Sequence, residues 1–245
     1  MSEPTLSVIV PAWNEEKCIA RSIQSLRRAG AVYERERGAT VEIIVVDNNS
    51  ADRTGAIARE CGATVVYEPV NNIGKARNAG VKAARGKYIA FCDADNQVTE
   101  NLLVLVHDHL ENPKIAGGGT WIEPERRNFK ISFFYFIWGM YVTCSRVGVG
   151  MMHCRKADFE SFGGFDESIY AAEDVQLAYD LRKLGKPRGQ NFKLIRKGWI
   201  ITSTRKIDQT PLWTMLAKLI GFGFGLQKKI RSKDYCEHWY DKAAR

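Results

Sequence analysis

Two pairs of carboxylates in this sequence have the residue types and spacing of a reaction centre. Asp93 and Asp95 stand one residue apart, directly after the apolar run 88–92, and Glu173 and Asp174 open a helical pattern further along. Two carboxylates one residue apart suit a hard divalent cation, which takes oxygen ligands and shares them with a diphosphate. The same spacing occurs in ordinary surface turns, so the elements around the pair must decide between the two interpretations.

The first half of the sequence alternates apolar strands with amphipathic helices. Strands are predicted at 6–10, where Pro11 ends the run, and at 41–46, 64–67 and 88–92. Asn14 is predicted to cap the first helix, with 31–40 as a loop or a helix extension. Strict β-α alternation predicts a parallel sheet, whose ligands sit at the carboxyl ends of the strands. Asp47, Asp93 and Asp95 should therefore face one crevice.

Several residues near these strand ends suit a nucleotide. A carboxylate such as Asp47 commonly holds a ribose hydroxyl, although an Asx turn explains it equally simply. Small residues between Gly74 and Gly80 let a helix approach the sheet, and Lys75 and Arg77 place positive charge where a diphosphate would benefit. The alternative is a packing helix with solvated basic side chains. The glycine spacing of a Walker loop is missing.

The second half changes character. Strands are predicted at 115–121 and 193–201, a strand or loop at 148–153, a tight turn at 162–167, and helices from Glu173 to Gly185 and from Pro211 to about Lys229. The aromatic run 131–142 fits either a helix packed in the protein or an in-plane contact with a membrane or acceptor. Glu173 and Asp174 either complement the helix dipole or mount a general base.

Composition narrows the class of partner. The 245 residues are 45% apolar, and 36 basic against 28 acidic side chains give a net charge of +8. Such an excess fits nucleic acid, an anionic membrane or phosphorylated substrates. No signal peptide and no apolar run of about 18 residues is visible, so we expect a cytoplasmic protein, with the inner membrane face as the alternative site. The six cysteines are expected to be reduced, and His107 and His109 to lie on the surface.

The ordered motifs resemble those of family 2 glycosyltransferases. The matching segments are Val8–Glu15, Ile44–Asp52, Gly74–Gly80, Asp93–Asp95, Gly163–Glu167 and Glu173–Asp174. The resemblance implies an α/β fold of the GT-A type, with a Rossmann-like, mostly parallel sheet flanked by helices in a single domain. It divides the chain into a nucleotide-sugar half (1–120), an acceptor half (121–210) and a C-terminal helical tail (211–245).

The resemblance also assigns roles by position. It implies a UDP- or GDP-sugar donor, Mn²⁺ or Mg²⁺ held by Asp93 and Asp95, a sugar or lipid-linked acceptor, and no nucleic acid. Asp174, with Glu173 beside it, would supply the base that deprotonates the acceptor. The donor would contact residues from five segments: Pro11, Ala12, Asn14, Glu15, Asp47, Asn49, Gly74, Lys75, Arg77, Asp93, Ala94 and Arg205.

One departure from the family concerns processive chain extension. Processive members carry Gln-x-x-Arg-Trp, whereas Gln209–Trp213 has leucine in place of the arginine, which favours a single transfer. The resemblance itself implies that the transfer inverts the anomeric configuration. Two alternatives remain. A catalytically silent nucleotide-sugar-binding or scaffold protein would share the fold, although all the expected acidic positions are filled. A nucleotidyltransferase would normally begin with a glycine-rich loop carrying Arg and Lys, which Pro11–Glu15 lacks.

Overall fold

The computed structural model describes residues 3–145, 149–170 and 172–205. Its first half contains four strands and three helices in strict alternation. They are β1 (Leu6–Ala12), α1 (Ile19–Arg37), β2 (Val41–Asp47), α2 (Thr54–Glu60), β3 (Thr64–Tyr67), α3 (Ile73–Ala83) and β4 (Tyr88–Phe91).

The second half mixes short strands with helices of very different length. It contains β5 (Asn96–Val98), α4 (Leu102–Glu111), β6 (Ile115–Pro124), α5 (Phe129–Ser145), β7 (Met152–Arg155), α6 (Lys156–Ser161), α7 (Glu173–Gly185) and β8 (Asn191–Thr202), with a 3-10 turn at Lys186–Arg188. The expected helix after Pro211 lies outside the described residues.

All eight strands join one sheet in the order β3-β2-β1-β4-β7-β6-β8-β5. The first four pair in parallel, as the alternation predicts. β7 then runs antiparallel between β4 and β6, and β8 returns parallel to β6. The expected α/β architecture is confirmed, with a mixed sheet in the second half. In the first half, the carboxyl ends of β1, β2 and β4 share one edge.

Helices cover both faces of the sheet. On one face, fully buried residues of α1 and α4, such as Ile23 and Leu103, pack on the strands. On the other, α3, α6 and α7 contribute Val81, Phe159 and Leu181. A Cβ at Gly80 would come within 2.4 Å of the Ile9 side chain. A residue other than glycine at this position would therefore push α3 away from the sheet.

Several local predictions are wrong, and each has a physical reason. Pro11 continues β1 instead of ending it: β4 pairs only as far as Ile9, so the missing N–H costs no bond on that side. Asn14 does not cap α1, which begins at Ile19 and extends through Arg37.

The two helical histidines are more enclosed than expected. Both are partly buried. The ring of His107 hydrogen-bonds to the Tyr33 hydroxyl at 2.8 Å, and His109 Nδ1 lies 2.8 Å from Nε2 of the fully buried His153. Burial holds the pKa of His109 at about 4 and that of His153 at about 3. The pair is therefore a neutral hydrogen-bonded unit of the core near pH 7.

Cys18, Cys61, Cys92 and Cys154 are free thiols, and all of these except Cys61 are buried. Within the described ranges, no helix is both long enough and apolar enough to cross a bilayer.

Candidate active site

The edge formed by β1 and β2 places a carboxylate beside a backbone turn. Asp47 pairs in register with Ala12, and the Ala12 carbonyl accepts a bond from the Asn48 N–H. One Asp47 oxygen accepts from the Ser50 N–H. A Cβ at Gly55 would lie 2.5 Å from the other oxygen, so this glycine lets α2 approach the carboxylate.

The loop after β1 is clasped to the loop after β2. Asn14 adopts a left-handed φ of 52°, which asparagine tolerates better than most residues. Its N–H donates to Ser50 Oγ, and its Oδ1 accepts from the Ala51 N–H. The Glu15 N–H donates to Thr54 Oγ1. These bonds fix the shape of the edge where a base and ribose are expected to rest.

A second clasp joins α3 to the segment 165–169. Asn72 caps α3 by accepting from the Lys75 N–H, and its amide donates to the carbonyls of Glu167 and Ile169. Asn78 accepts from the Phe165 N–H and donates to the Phe165 carbonyl. The left-handed glycines of the preceding turn, at 163 and 164, allow the chain to reverse here.

Arg77 joins the two carboxylate pairs. From the second turn of α3, its guanidinium donates to Glu173 Oε1 at 2.6 Å and to Asp93 Oδ1 at 3.0 Å. The Arg77 and Glu173 side chains are 8% and 10% exposed, whereas Asp93 is 52% exposed. Asp93 therefore keeps much of its surface open to the crevice, while Glu173 is held inside.

The surroundings of Asp174 disfavour its ionised form. It lies in the first turn of α7 and accepts a bond from the adjacent Val175 N–H. Burial and then the charge of Glu173 raise the pKa of Asp174 to about 7, and Arg77 offsets part of this effect. A carboxylate whose pKa lies near neutrality can accept a proton more readily than an ordinary aspartate.

Arg205 contacts the other side of the Asp93–Asp95 segment. Its guanidinium donates to Glu15 Oε2 at 2.8 Å and lies 4.0 Å from Asp95 Oδ2. The side chain is 29% exposed, against 6% for Glu15 and 18% for Asp95. This arginine brings the loop after β1 and the end of β8 together over Asp95.

Asp93 and Asp95 suit a cation that also binds the substrate. Among the described residues, no group of three or more His, Cys, Asp or Glu side chains is arranged to hold a metal ion. Mg²⁺-like cations are commonly bound through one or two carboxylates together with substrate phosphates and water. The half-exposed Asp93 and its neighbour Asp95 fit such an incomplete set of ligands.

The residues expected to bind the donor, to hold the metal or to act as the base fall into three neighbourhoods. Arg77, Asp93, Glu173 and Asp174 form one, and Arg205, Glu15 and Asp95 form the second. The third follows β1 and β2, where Asn49, in a left-handed conformation, accepts from the Tyr67 hydroxyl. Lys75 starts α3, and within the described chain it makes no ion pair with Asp93 or Asp95. Gly74 is buried, and a Cβ there would lie 3.4 Å from the Asp166 carbonyl.

Three residues around the site escaped the sequence reasoning. Asn72 carries a recognisable signal, because asparagine before a helix pattern is a capping residue. Asn78 carries none, since its partner lies 87 residues away. Tyr135 of α5 is the third: burial and then the charges of Glu123 and Asp95 raise the pKa of its hydroxyl. It therefore stays protonated beside the carboxylates.

Comparison with solved structures identifies the fold. A mannosyltransferase from Pyrobaculum calidifontis, PcManGT, solved with GDP-Man and Mn²⁺, superposes with a TM-score of 0.63 at 19% identity, covering 80% of this chain and 56% of that one. Residues 1–349 of S. aureus TarS, solved with UDP-GlcNAc, give 0.61 at 20% identity, covering 88% and 65%. The expected GT-A fold is confirmed.

Comparison of sequences identifies the family. EpsJ of Bacillus subtilis, an uncharacterized glycosyltransferase, is 33% identical over 131 residues, which are 51% of this chain and 36% of EpsJ. The chain thus spans about a third of that relative. The family model described as Glycosyl transferase family 2 matches residues 7–153. Because this match covers more than half of the sequence, the chain belongs to glycosyl transferase family 2.

Proposed function

We propose that this protein transfers one sugar from a nucleotide-diphosphate sugar to an acceptor, in a metal-dependent, inverting and non-processive reaction. One observation carries the proposal. The guanidinium of Arg77 brings the Asp93–Asp95 pair at the end of β4 to the Glu173–Asp174 pair at the start of α7. A group that holds a leaving diphosphate and a group that accepts a proton thus border one crevice.

The donor is proposed to be a UDP- or GDP-sugar. Its base and ribose would lie along the ends of β1 and β2, against Pro11, Ala12, Asn14 and Asp47. Solved structures of similar fold contain GDP-Man or UDP-GlcNAc, which supports this class of donor. Asp93 and Asp95 would hold Mn²⁺ or Mg²⁺, and Arg205 would lie near the diphosphate.

The chemistry divides between the two carboxylate pairs. Breaking the anomeric C–O bond leaves negative charge on the nucleoside diphosphate. Asp93 and Asp95 would hold a divalent cation, which would supply Lewis-acid assistance by neutralising that charge. Asp174 accepts the proton of the acceptor hydroxyl as that oxygen attacks the anomeric carbon. A single displacement inverts the configuration, because retention by double displacement requires a second, nucleophilic group.

Turnover is the direct test of this proposal. The protein is incubated with Mn²⁺ and a panel of UDP- and GDP-sugars, with and without candidate sugar acceptors, and free nucleoside diphosphate is measured. We expect release from one donor, accelerated by its acceptor and abolished by EDTA. Tight binding of a nucleotide-sugar without release under any condition would support the silent binding protein instead.

A membrane surface is the second part of the proposal. Phe129, Phe133, Phe136 and Met140 of α5 are 86%, 39%, 65% and 54% exposed. Their spacing of four, three and four residues places them on one side of the helix. The exposed Arg126 and Arg127 precede this apolar stripe, and such a combination suits an anionic bilayer. A lipid-linked acceptor would then meet the crevice from the membrane side.

Vesicle flotation tests the membrane contact. We expect binding to anionic vesicles that weakens in high salt, and weaker binding by Phe136→Ser. Tyr179→Ser is the matched control, since Tyr179 is 60% exposed and belongs to α7, not to the stripe on α5. Equal loss of binding in both variants, or no binding to anionic vesicles, would contradict a role for α5.

A further inference from the structure

The Arg77 side chain is almost fully enclosed by protein groups. Its guanidinium carbon lies 5.9 Å from the centre of the Phe91 ring and 5.5 Å from that of Phe165. Its two terminal nitrogens donate to Glu173 and Asp93, and its side chain is 8% exposed. Its Nε is buried, with no hydrogen-bond partner in the part of the chain that the structure describes.

This environment requires the positive charge. A buried carboxylate such as Glu173 is costly unless a countercharge and hydrogen bonds offset its loss of water. Arg77 supplies both, and the carboxylates of Glu173, Asp93 and Asp174 keep the pKa of Arg77 above its ordinary value despite burial. The planar guanidinium fork can bond two carboxylates at once, which the single ammonium of lysine cannot do with the same geometry.

We infer that Arg77 is a positioning residue: it fixes one oxygen of Asp93 so that the remainder of that carboxylate faces the crevice. The inference rests on the proposed function and gives Arg77 a role different from direct contact with the diphosphate. The same guanidinium neutralises Glu173 beside Asp174. One side chain of α3 thereby sets the geometry of the cation site and the charge next to the base.

The orientation of Arg77 is itself fixed from two sides. The ring of Phe91 comes from the last residue of β4, and that of Phe165 from the segment that Asn78 clasps. The two rings pack against each other at 5.1 Å between centroids. The guanidinium therefore cannot turn toward the crevice without leaving both aromatic contacts and both carboxylates.

The test separates this positioning role from simple neutralisation of the buried Glu173 charge. The variants are Arg77→Gln, Glu173→Gln, the double variant Arg77→Gln/Glu173→Gln, and Arg77→Lys. Arg188→Gln is the matched control, because Arg188 pairs with the largely buried Asp158 at 2.6 Å outside the site. For each protein, Mn²⁺ affinity is measured at saturating UDP from the free Mn²⁺ signal in electron paramagnetic resonance, together with the melting temperature and the transfer rate.

We expect the double variant to bind Mn²⁺ roughly 10- to 100-fold more weakly than Glu173→Gln, the usual effect of removing a residue that orients a metal ligand. Arg77→Lys should recover part of this loss, and the control should bind as the wild type does. Equal Mn²⁺ affinity in the double variant and Glu173→Gln would overturn the inference, because Arg77 would then serve only to neutralise Glu173.

Folding failure does not remove the test. Arg77→Gln alone leaves Glu173 buried without a countercharge, so the double variant, which removes both charges, carries the comparison. Should that protein also misfold, Arg77→Lys retains the charge, and a wild-type Mn²⁺ affinity in it would equally overturn the inference. Because Mn²⁺·UDP affinity does not depend on transfer, a wild-type protein that binds without turnover would refute the proposed reaction and still test Arg77.

Discussion

The two carboxylates of the Asp93–Asp95 segment have arginine neighbours in contrasting surroundings. Arg77 is buried between two aromatic rings and bonds Asp93 from inside the protein. Arg205 is 29% exposed, bonds Glu15 and approaches Asp95 only to 4.0 Å. Packing inside the protein therefore fixes the orientation of the Asp93 carboxylate, whereas Asp95 is bordered by a partly exposed side chain. Changes on the Arg77 side should alter chemistry and stability together, and those on the Arg205 side mainly ligand binding.

The largest effect is expected at Asp174, the proposed base, which follows the Arg77 partner Glu173. Asp174→Asn keeps the size of the side chain but removes the proton acceptor, so transfer should fall by roughly 10²–10⁴-fold. Mn²⁺ and UDP should bind as before, since Asp93 and Asp95 are unchanged. Glu173→Gln should reduce transfer less. Rate, donor affinity and melting temperature are measured on both variants.

A purely structural Asp174 would give the opposite pattern. A carboxylate that only complements a helix dipole contributes about 0.3–1 kcal/mol to the free energy of unfolding. Near-normal transfer with a slightly lower melting temperature would remove Asp174 from the mechanism. It would leave Glu173 as the base, or an acceptor, such as a phosphate, that needs none.

On the Asp95 side, stabilisation of the protein by nucleotide should depend mainly on the cation. UDP at about 100 times its dissociation constant should stabilise the protein by about 2.7 kcal/mol in the presence of Mn²⁺. EDTA should remove most of this gain, because Asp93 and Asp95 repel a bare diphosphate, and Asp95→Asn should do the same. Asp180→Asn, a change at a partly exposed position of α7, is the control. Thermal unfolding measures the gain; equal stabilisation by UDP with and without Mn²⁺ would refute the linkage.

The pH dependence of transfer should sharpen the contrast. Asp174 must be ionised to accept a proton, and its pKa is raised to about 7 by burial and by Glu173. The rate should therefore rise with pH through about 7 and level off above it. Glu173→Gln removes one source of the raised pKa, so the midpoint should move to lower pH. A midpoint that stays in place or moves upward in rate–pH profiles would show that Glu173 does not influence the base.

The smallest effect is expected at Arg205. Arg205→Lys keeps the charge but loses the fork that bonds Glu15. For a partly exposed pair, the free energy of unfolding should change by about 0–1 kcal/mol. The dissociation constant for Mn²⁺·UDP should rise several-fold, and this difference from the wild type should shrink in high salt, which screens the arginine contact. A large drop in melting temperature would place Arg205 in the same structural category as Arg77.

The sequence predicted best where the signal is local. The β-α alternation of the first half, the helix from Glu173 to Gly185 and the small-residue face of α3 are all found in the structure. Each depends on periodicity or on residue size, which neighbouring positions reveal. The order in which β7, β6 and β8 join the sheet depends on antiparallel pairing between distant segments, and no local pattern specifies that.

The site shows the same division. Asp93, Asp95, Glu173 and Asp174 were found from type and spacing, and their roles stay predictions until tested. Their connection through Arg77 was not foreseen, because Glu173 lies 96 residues from it along the chain. Asn14 was expected to cap a helix, but its side chain bonds the loop after β2, which competes with that local role.

The clasp between α3 and the segment 165–169 has a consequence for how the chain folds. Its hydrogen bonds join residues that are 87 to 97 positions apart. The clasp therefore has to close a long loop at a cost in entropy, and it cannot form before both bonded segments have been synthesised. A nascent chain that ends at residue 153 contains the whole region matched by the family model, but it lacks Phe165, Glu167 and Ile169. During synthesis, the parallel half can form its strands early, whereas the crevice closes only after this late segment leaves the ribosome.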